Sequence, residues 1–239
     1  MSGGVRTRDL APLSGRLDGV RERIGRSLDR AGRPRDSVRL LAVTKGFPAE
    51  TVRDAMGVGL AEFGENRVQE AEGKIPEVGP GPRWHLIGHL QTNKAKRAVS
   101  LFDEIHSIDS DRLAEAVARH AADAGRVIPV YVEVNASGDA SKYGAAPEAT
   151  LDLLGRARAL AGIRIAGLMT IGPLGGGIEG ARAAFRALRR LRDEAVAARV
   201  LPEDAGLSMG MSDDFEIAVE EGATIVRVGS ALFGPRPAA

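Results

Sequence analysis

Lys45 closes the apolar run Leu40, Leu41, Ala42, Val43, which would deliver its amine beside low-dielectric walls. Desolvation disfavours the ammonium, and the neutral amine is the form that adds to an aldehyde. The last apolar run, IVRVGS at 225–230, ends in Gly229 and Ser230, whose unshielded amides and hydroxyl suit a phosphate. Arg227 lies two residues earlier, and strand alternation puts it on one face with Ile225 and Gly229. A ligand approached by Gly229 is then approached by Arg227 as well; the alternative is a guanidinium turned outward to a helix carboxylate. Ser212, opening SDDFEIAVEEG, either caps a helix or joins the anion site with that helix's first amides. Asp213 and Asp214 stand at the same place and would repel an anion, so Gly229 and Ser230 take the larger share of the phosphate.

Other candidate groups carry less. His85 and His89 are four apart but on a strand pattern, with no HExxH glutamate and no evident third ligand, so no metal site is assigned. The basic run RALRRLRD at 186–193 shares a helical pattern with inward Phe185, Leu188 and Leu191 and reads as a solvated face. No GxSxG elbow activates a serine. The stretch GPLGGGIEG at 172–180 lacks the Lys-Ser/Thr of a P-loop and reads as a connection between strand and helix.

Composition narrows the classes further. The chain has no cysteine, which removes disulfides, thiolate metal sites and thiol nucleophiles. Its 33 basic and 32 acidic residues leave a net charge of +1, and only nine aromatics are present, so neither a field nor a stacking platform favours nucleic acid. No apolar run has the roughly 18 residues needed to span a bilayer, and no signal-peptide stretch follows the first arginines, so a cytoplasmic protein without membrane association is expected.

The elements that must position Lys45 and the 225–230 run follow from hydrophobic periodicity. Leu13, Leu17, Val20, Ile24, Leu28 and Ala31 recur at helical spacing, with Ser14 as cap and Gly32 with Pro34 as the stop. Eight apolar runs follow, at 39–45, 61–66, 84–88, 104–109, 129–135, 165–170, 207–212 and 225–230. Amphipathic stretches separate them, such as 110–124, opened by Ser110 and closed by Gly125, and 147–160, opened by Pro147. Eight strand-and-helix units in about 200 residues favour a closed α/β (β/α)8 TIM barrel with an extra N-terminal helix over an open sheet. A single domain over 1–239 is expected, with about residues 1–12 flexible.

LLAVTKG around Lys45, FGENRVQEA from Phe63, WHLIGHLQTNK from Trp84, HSIDS from His106, GLMTIGP from Gly167 and SMGMSDDFEIAVEEGATIVRVGSALFG from Ser208 span most of the chain in order. These motifs resemble the pyridoxal phosphate homeostasis proteins, the YggS or PROSC type. The resemblance implies a fold like the N-terminal barrel of alanine racemase and of eukaryotic ornithine decarboxylase. It implies pyridoxal 5'-phosphate (PLP) held as an imine on Lys45, with Arg227 at the pyridine nitrogen. Ser212, Gly229 and Ser230 would hold the phosphate and Asn66 would lie near the ring, while Arg67 stands where a tyrosine is frequent. A permanently charged arginine disfavours protonation of the ring nitrogen, so strong PLP catalysis is not expected and no catalytic residue is assigned. With the sequence ending soon after the eighth run, no second domain to supply an opposing base is expected. The function implied is intracellular PLP homeostasis by a monomeric carrier or buffer that passes PLP to PLP-dependent apoenzymes. A weakly active amino-acid racemase or decarboxylase is the alternative.

Overall fold

Each apolar run folds as a short parallel strand, and each amphipathic stretch as a helix that covers it. The computed structural model describes residues 10–137, 143–173 and 177–236. In chain order these hold α1 (Ala11–Arg30), β1 (Arg39–Val43), α2 (Ala49–Gly57), β2 (Glu62–Glu65), α3 (Val68–Val78) and β3 (Arg83–Leu86). After a 3-10 turn come α4 (Ala95–Leu101), β4 (Glu104–Ile108), α5 (Asp111–Asp123), β5 (Ile128–Glu133), α6 (Pro147–Ala157) and β6 (Ile163–Met169). The chain then runs through α7 (Gly177–Ala197), β7 (Gly206–Ser208), α8 (Phe215–Glu220), β8 (Ile225–Val228) and α9 (Ser230–Phe233). The eight strands close in sequence order, β8 returning to β1 with Arg39 opposite Ile225 and Ala42 opposite Val228.

Both faces of such a sheet are buried, which is why its strands read as continuous apolar runs. The larger apolar cluster fills the layer between strands and helices. A smaller one, Leu41, Val43, Ile87, Tyr131, Met169 and Ile225, lies inside the barrel. There it meets an unusual number of buried polar groups, including His85, Glu104, His106, Glu133, Ser208 and Arg227. At β6 the backbone of Gly167 has φ +154°, and a Cβ would overlap the Gly206 carbonyl on β7, so those two strands approach only because glycines face each other.

Helix α1 packs against α8 and α9, closing the gap that the four-residue α9 leaves in the outer ring. Leu13, Leu17, Val20, Ile24 and Leu28 form its buried stripe, while Arg23 pairs with Glu216 at 2.8 Å and lies over the Phe215 ring. Several expected boundaries change. Ser14 sits inside α1 rather than capping it, because Pro12 already occupies the first turn and Leu10 is the N-cap residue. Residues 11 and 12 are therefore helical, and 1–9 lie outside the described residues. Ser110 precedes α5 as expected, yet its hydroxyl donates to Asp109 instead of capping. β7 is only three residues long, since Gly210 turns the chain away at φ +91°. Of the Gly-rich stretch, 174–176 lie outside the described residues.

Candidate functional site

At the C-terminal mouth of the barrel, the loops after β1, β7 and β8 enclose a cleft of about 430 Å³. Lys45, Ser212, Arg227, Gly229 and Ser230 all line it. Strand spacing explains the grouping. Lys45 continues the inward series Leu41, Val43 from β1, and Gly229 continues Ile225, Arg227 from β8, the neighbouring strand. The inward orientation of Arg227 is the one that alternation favoured.

Lys45 is half-buried. Burial first, then the charges of Arg236 and Arg227, lowers its amine below the ordinary lysine value, against the opposing fields of Glu65 and Glu70. A larger fraction of the amine is then neutral near pH 7, the state that adds to a carbonyl. Phe47, two residues on, packs against Phe233 with ring centroids 5.4 Å apart, tying this loop to α9. Arg236 was not anticipated. It follows the last helix, and only the folded chain brings it beside Gly46.

Ser212 departs from the expected helix cap. Asp214 is the N-cap residue of α8, and the Ser212 hydroxyl oxygen accepts the backbone N–H groups of Gly229 and Ala231, each at 3.2 Å. With both lone pairs of its oxygen taken by amides, the Ser212 hydroxyl has its hydrogen left to donate to an anionic oxygen. Ser230, expected at a strand end, instead opens α9 and is exposed at the cleft. The two acidic residues expected to repel an anion separate: Asp214 accepts the Met211 N–H at 2.6 Å and turns toward Gly172, while Asp213 lines the cleft.

Arg227 is 3% exposed. Its Nη1 donates to Ser208 Oγ and its Nη2 to the Thr170 carbonyl, both at 2.9 Å. Burial lowers its pKa to about 10, partly offset by Glu133 and Asp214, so it is a cation near pH 7. Glu133, at the end of β5, is pushed up to about 7 by burial and by Asp109, with Arg227 pulling it down.

Asn66 is not brought into this cleft. It lines an adjoining depression with Arg67, Gly88, His89 and Tyr143, and a Cβ on Gly88 would overlap the Asn66 carbonyl. His85 and His89 also part. His89 stacks on Tyr143 at 3.8 Å, whereas His85 points into the barrel, with its Nδ1 3.1 Å from His106 Nε2 and Glu104 beside both. Sequence inspection missed the Glu104 and His106 partnership. Its signal was there: His85 on β3 and His106 on β4 are both inward positions on adjacent strands. The basic run divides as expected, with Phe185, Leu188 and Leu191 buried and Arg186 and Arg190 exposed, while Arg186 and Arg189, with Arg182, also reach the buried Glu221.

The alanine racemase N-terminal domain family matches residues 16–237. The pyridoxal phosphate homeostasis protein of Aquifex aeolicus is 43% identical over 224 residues, 92% of this chain and 97% of that protein. The one from Pseudomonas aeruginosa is 41% identical over 221 residues, 91% and 93% of the two chains. PipY of Synechococcus elongatus, solved with PLP bound, superposes with a TM-score of 0.81 at 40% identity, covering 93% of this chain and all of PipY. Alanine racemase of Clostridium difficile shares the fold at a TM-score of 0.74 and 16% identity, over 95% of this chain and 57% of the racemase.

Proposed function

The chain belongs to the pyridoxal phosphate homeostasis protein family, on the barrel of the alanine racemase N-terminal domain, and from that premise we propose that it holds PLP on Lys45 as a carrier or buffer. It acts as a cytoplasmic monomer that passes the cofactor to PLP-dependent apoenzymes. No helix among the described residues is long and apolar enough to cross a membrane. A single convergence carries the proposal: an amine with a lowered pKa, a buried guanidinium and the hydroxyls of Ser212 and Ser230 line one cleft.

Bound PLP supplies an aldehyde carbon and an electron-withdrawing ring. The chain's own residues do the rest. Lys45 offers the neutral amine, and Phe47 and Ile87 supply apolar walls. The hydroxyls of Ser212, whose oxygen accepts the Gly229 and Ala231 amides and leaves its hydrogen to donate, and of Ser230 hold the phosphate. Arg227 is assigned to the ring nitrogen, where a group that donates and keeps its proton leaves that nitrogen unprotonated. A ring in that state withdraws electrons weakly, which supports holding over turnover.

Borohydride reduction of PLP-loaded protein followed by peptide mapping is expected to place a pyridoxyl group on Lys45, with none in Lys45→Ala. Free amino acids in deuterated water are expected to keep their α-proton. Labelling elsewhere, or steady exchange, would sink the proposal.

A further inference from the structure

Beneath the cleft, a line of buried polar side chains crosses the barrel interior. Arg227 Nη1 meets Ser208 Oγ at 2.9 Å, Ser208 Oγ meets His106 Nδ1 at 2.9 Å, and His106 Nε2 meets His85 Nδ1 at 3.1 Å. His85 Nε2 lies 3.4 Å from Glu62 Oε2, and Glu62 pairs with Arg39 at 3.3 Å. His85, His106 and Ser208 are wholly buried.

Donor arithmetic sets the direction of every link. A guanidinium only donates, so the Ser208 oxygen accepts from Arg227 and its hydroxyl hydrogen needs another acceptor. Among the described residues that acceptor is His106 Nδ1. An accepting Nδ1 puts the His106 proton on Nε2, which donates to His85 Nδ1. The proton of His85 then also lies on Nε2, facing the Glu62 carboxylate. We propose that Ser208, His106 and His85 are positioning residues for Arg227, forming a hydrogen-bond chain with one direction, from the guanidinium at the cleft to His85, whose Nε2 lies near the Glu62 carboxylate at the barrel floor. The assignment of Arg227 to the ring of bound PLP rests on the function proposed above; the direction of the chain does not.

Groups on every side agree. Burial holds His106 at a pKa of about 3, with the Tyr131 ring 4.5 Å away and Glu104 beside it. His85 Nδ1, His106 Nε2 and Glu104 Oε2 also lie within reach of a common metal ion. Ligation would need a bare His106 Nε2, moving the proton to Nδ1, where it competes with the Ser208 hydroxyl hydrogen. The guanidiniums of Arg39 and Arg83 on Glu104, at 3.4 and 3.1 Å, oppose a further cation.

The test is 15N NMR of histidine-labelled, PLP-free protein. The chain has four histidines, so His89→Gln and His120→Gln complete the assignment. At pH 8 both His85 and His106 are expected as Nε2–H forms with bare Nδ1, and His106 is expected to stay so down to pH 5.5. Proton on His106 Nδ1, a His106 imidazolium, or a stoichiometric metal in the purified protein would overturn the chain. In loaded protein, Ser208→Ala is expected to weaken PLP binding by roughly three- to ten-fold and to move its visible band. His106→Asn, whose amide oxygen replaces the Nδ1 acceptor, should keep the wild-type band. A Ser208→Ala protein matching wild type in both would refute the positioning role. If Ser208→Ala does not fold, the NMR result on the unmodified chain still decides. Absence of a pyridoxyl group at Lys45 sinks the cofactor assignment instead and leaves the tautomers readable.

Discussion

Lys74 Nζ lies 2.6 Å from Glu65 Oε1 on the outer side of the barrel, with side chains 5% and 0% exposed. The same ammonium donates to the Thr44 carbonyl at 2.8 Å and to Glu70 at 2.7 Å, and Glu70 accepts the Gly46 N–H at 2.6 Å. The residues on either side of Lys45 are thus tied to α3. Glu65 directly precedes Asn66 in sequence, yet it serves this clamp and not the cleft.

Lys74→Met leaves the Glu65 carboxylate buried without its cation and releases Thr44. A loss of about 3–5 kcal/mol is expected in urea unfolding, the scale for breaking one side of a buried pair. The double variant Glu65→Leu with Lys74→Met removes the stranded charge and should recover most of that loss. A single variant within 1 kcal/mol of wild type would show that the clamp is not holding the loop.

Arg236 depresses the Lys45 amine through its charge, second to burial. Arg236→Ala should move the pH midpoint of PLP capture upward and slow capture at pH 7, followed by stopped-flow absorbance. Lys45→Ala should abolish capture at every pH. An unchanged pH profile in Arg236→Ala would show that solvent already screens that charge.

Ser212→Ala removes the hydroxyl on which the Gly229 and Ala231 amides converge. One hydrogen bond to a charged phosphate is worth about 1.5–3 kcal/mol, so PLP affinity should fall by at least about ten-fold. Affinity for pyridoxal, which lacks the phosphate, should stay within two-fold. Titration by fluorescence or absorbance separates the two ligands, and equal losses for both would place the phosphate elsewhere.

Glu133 has a folded pKa near 7, above the ordinary carboxyl value of about 4.3, because burial and Asp109 disfavour its charge. Between roughly pH 4.5 and 7 the folded state holds this proton more tightly than the unfolded chain does. Stability therefore falls as pH rises through that window, by up to about 3 kcal/mol from this group. Glu133→Gln should flatten the slope in denaturation measured at pH 5, 6 and 7. Glu104 works in the opposite sense and in another window. Burial raises its pKa, but the contact with His106 and the charge of Arg39 outweigh that and hold it at about 2, so its contribution is lost only as pH falls toward 2.

Much of the mouth of the barrel was legible before folding. Lys45 and Gly229 follow strands and Arg227 lies on one, each announced by its apolar neighbours, and period-two alternation favoured the inward orientation of Arg227 that the fold adopts. Ser212 was legible as a polar group near the anion site, but its partners were not, since Gly229 and Ala231 are 17 and 19 residues away. Asn66 was placed near the ring by resemblance, and the close approach of Gly88 to its carbonyl sets it in the neighbouring depression.

Sequence by itself determined the eight strands, the covering helices and the place of Lys45 at the end of the first strand, because periodicity and end-of-strand position are relations among neighbours along the chain. Tertiary structure decided which polar groups share the interior. Ser208 and His106 are 102 residues apart and meet only across a closed barrel. Arg39, Glu62, Glu104 and His85 gather from four strands at its floor. Closure converts inward alternation on separate strands into contact, and that step depends on the register of every strand at once, which no local pattern encodes.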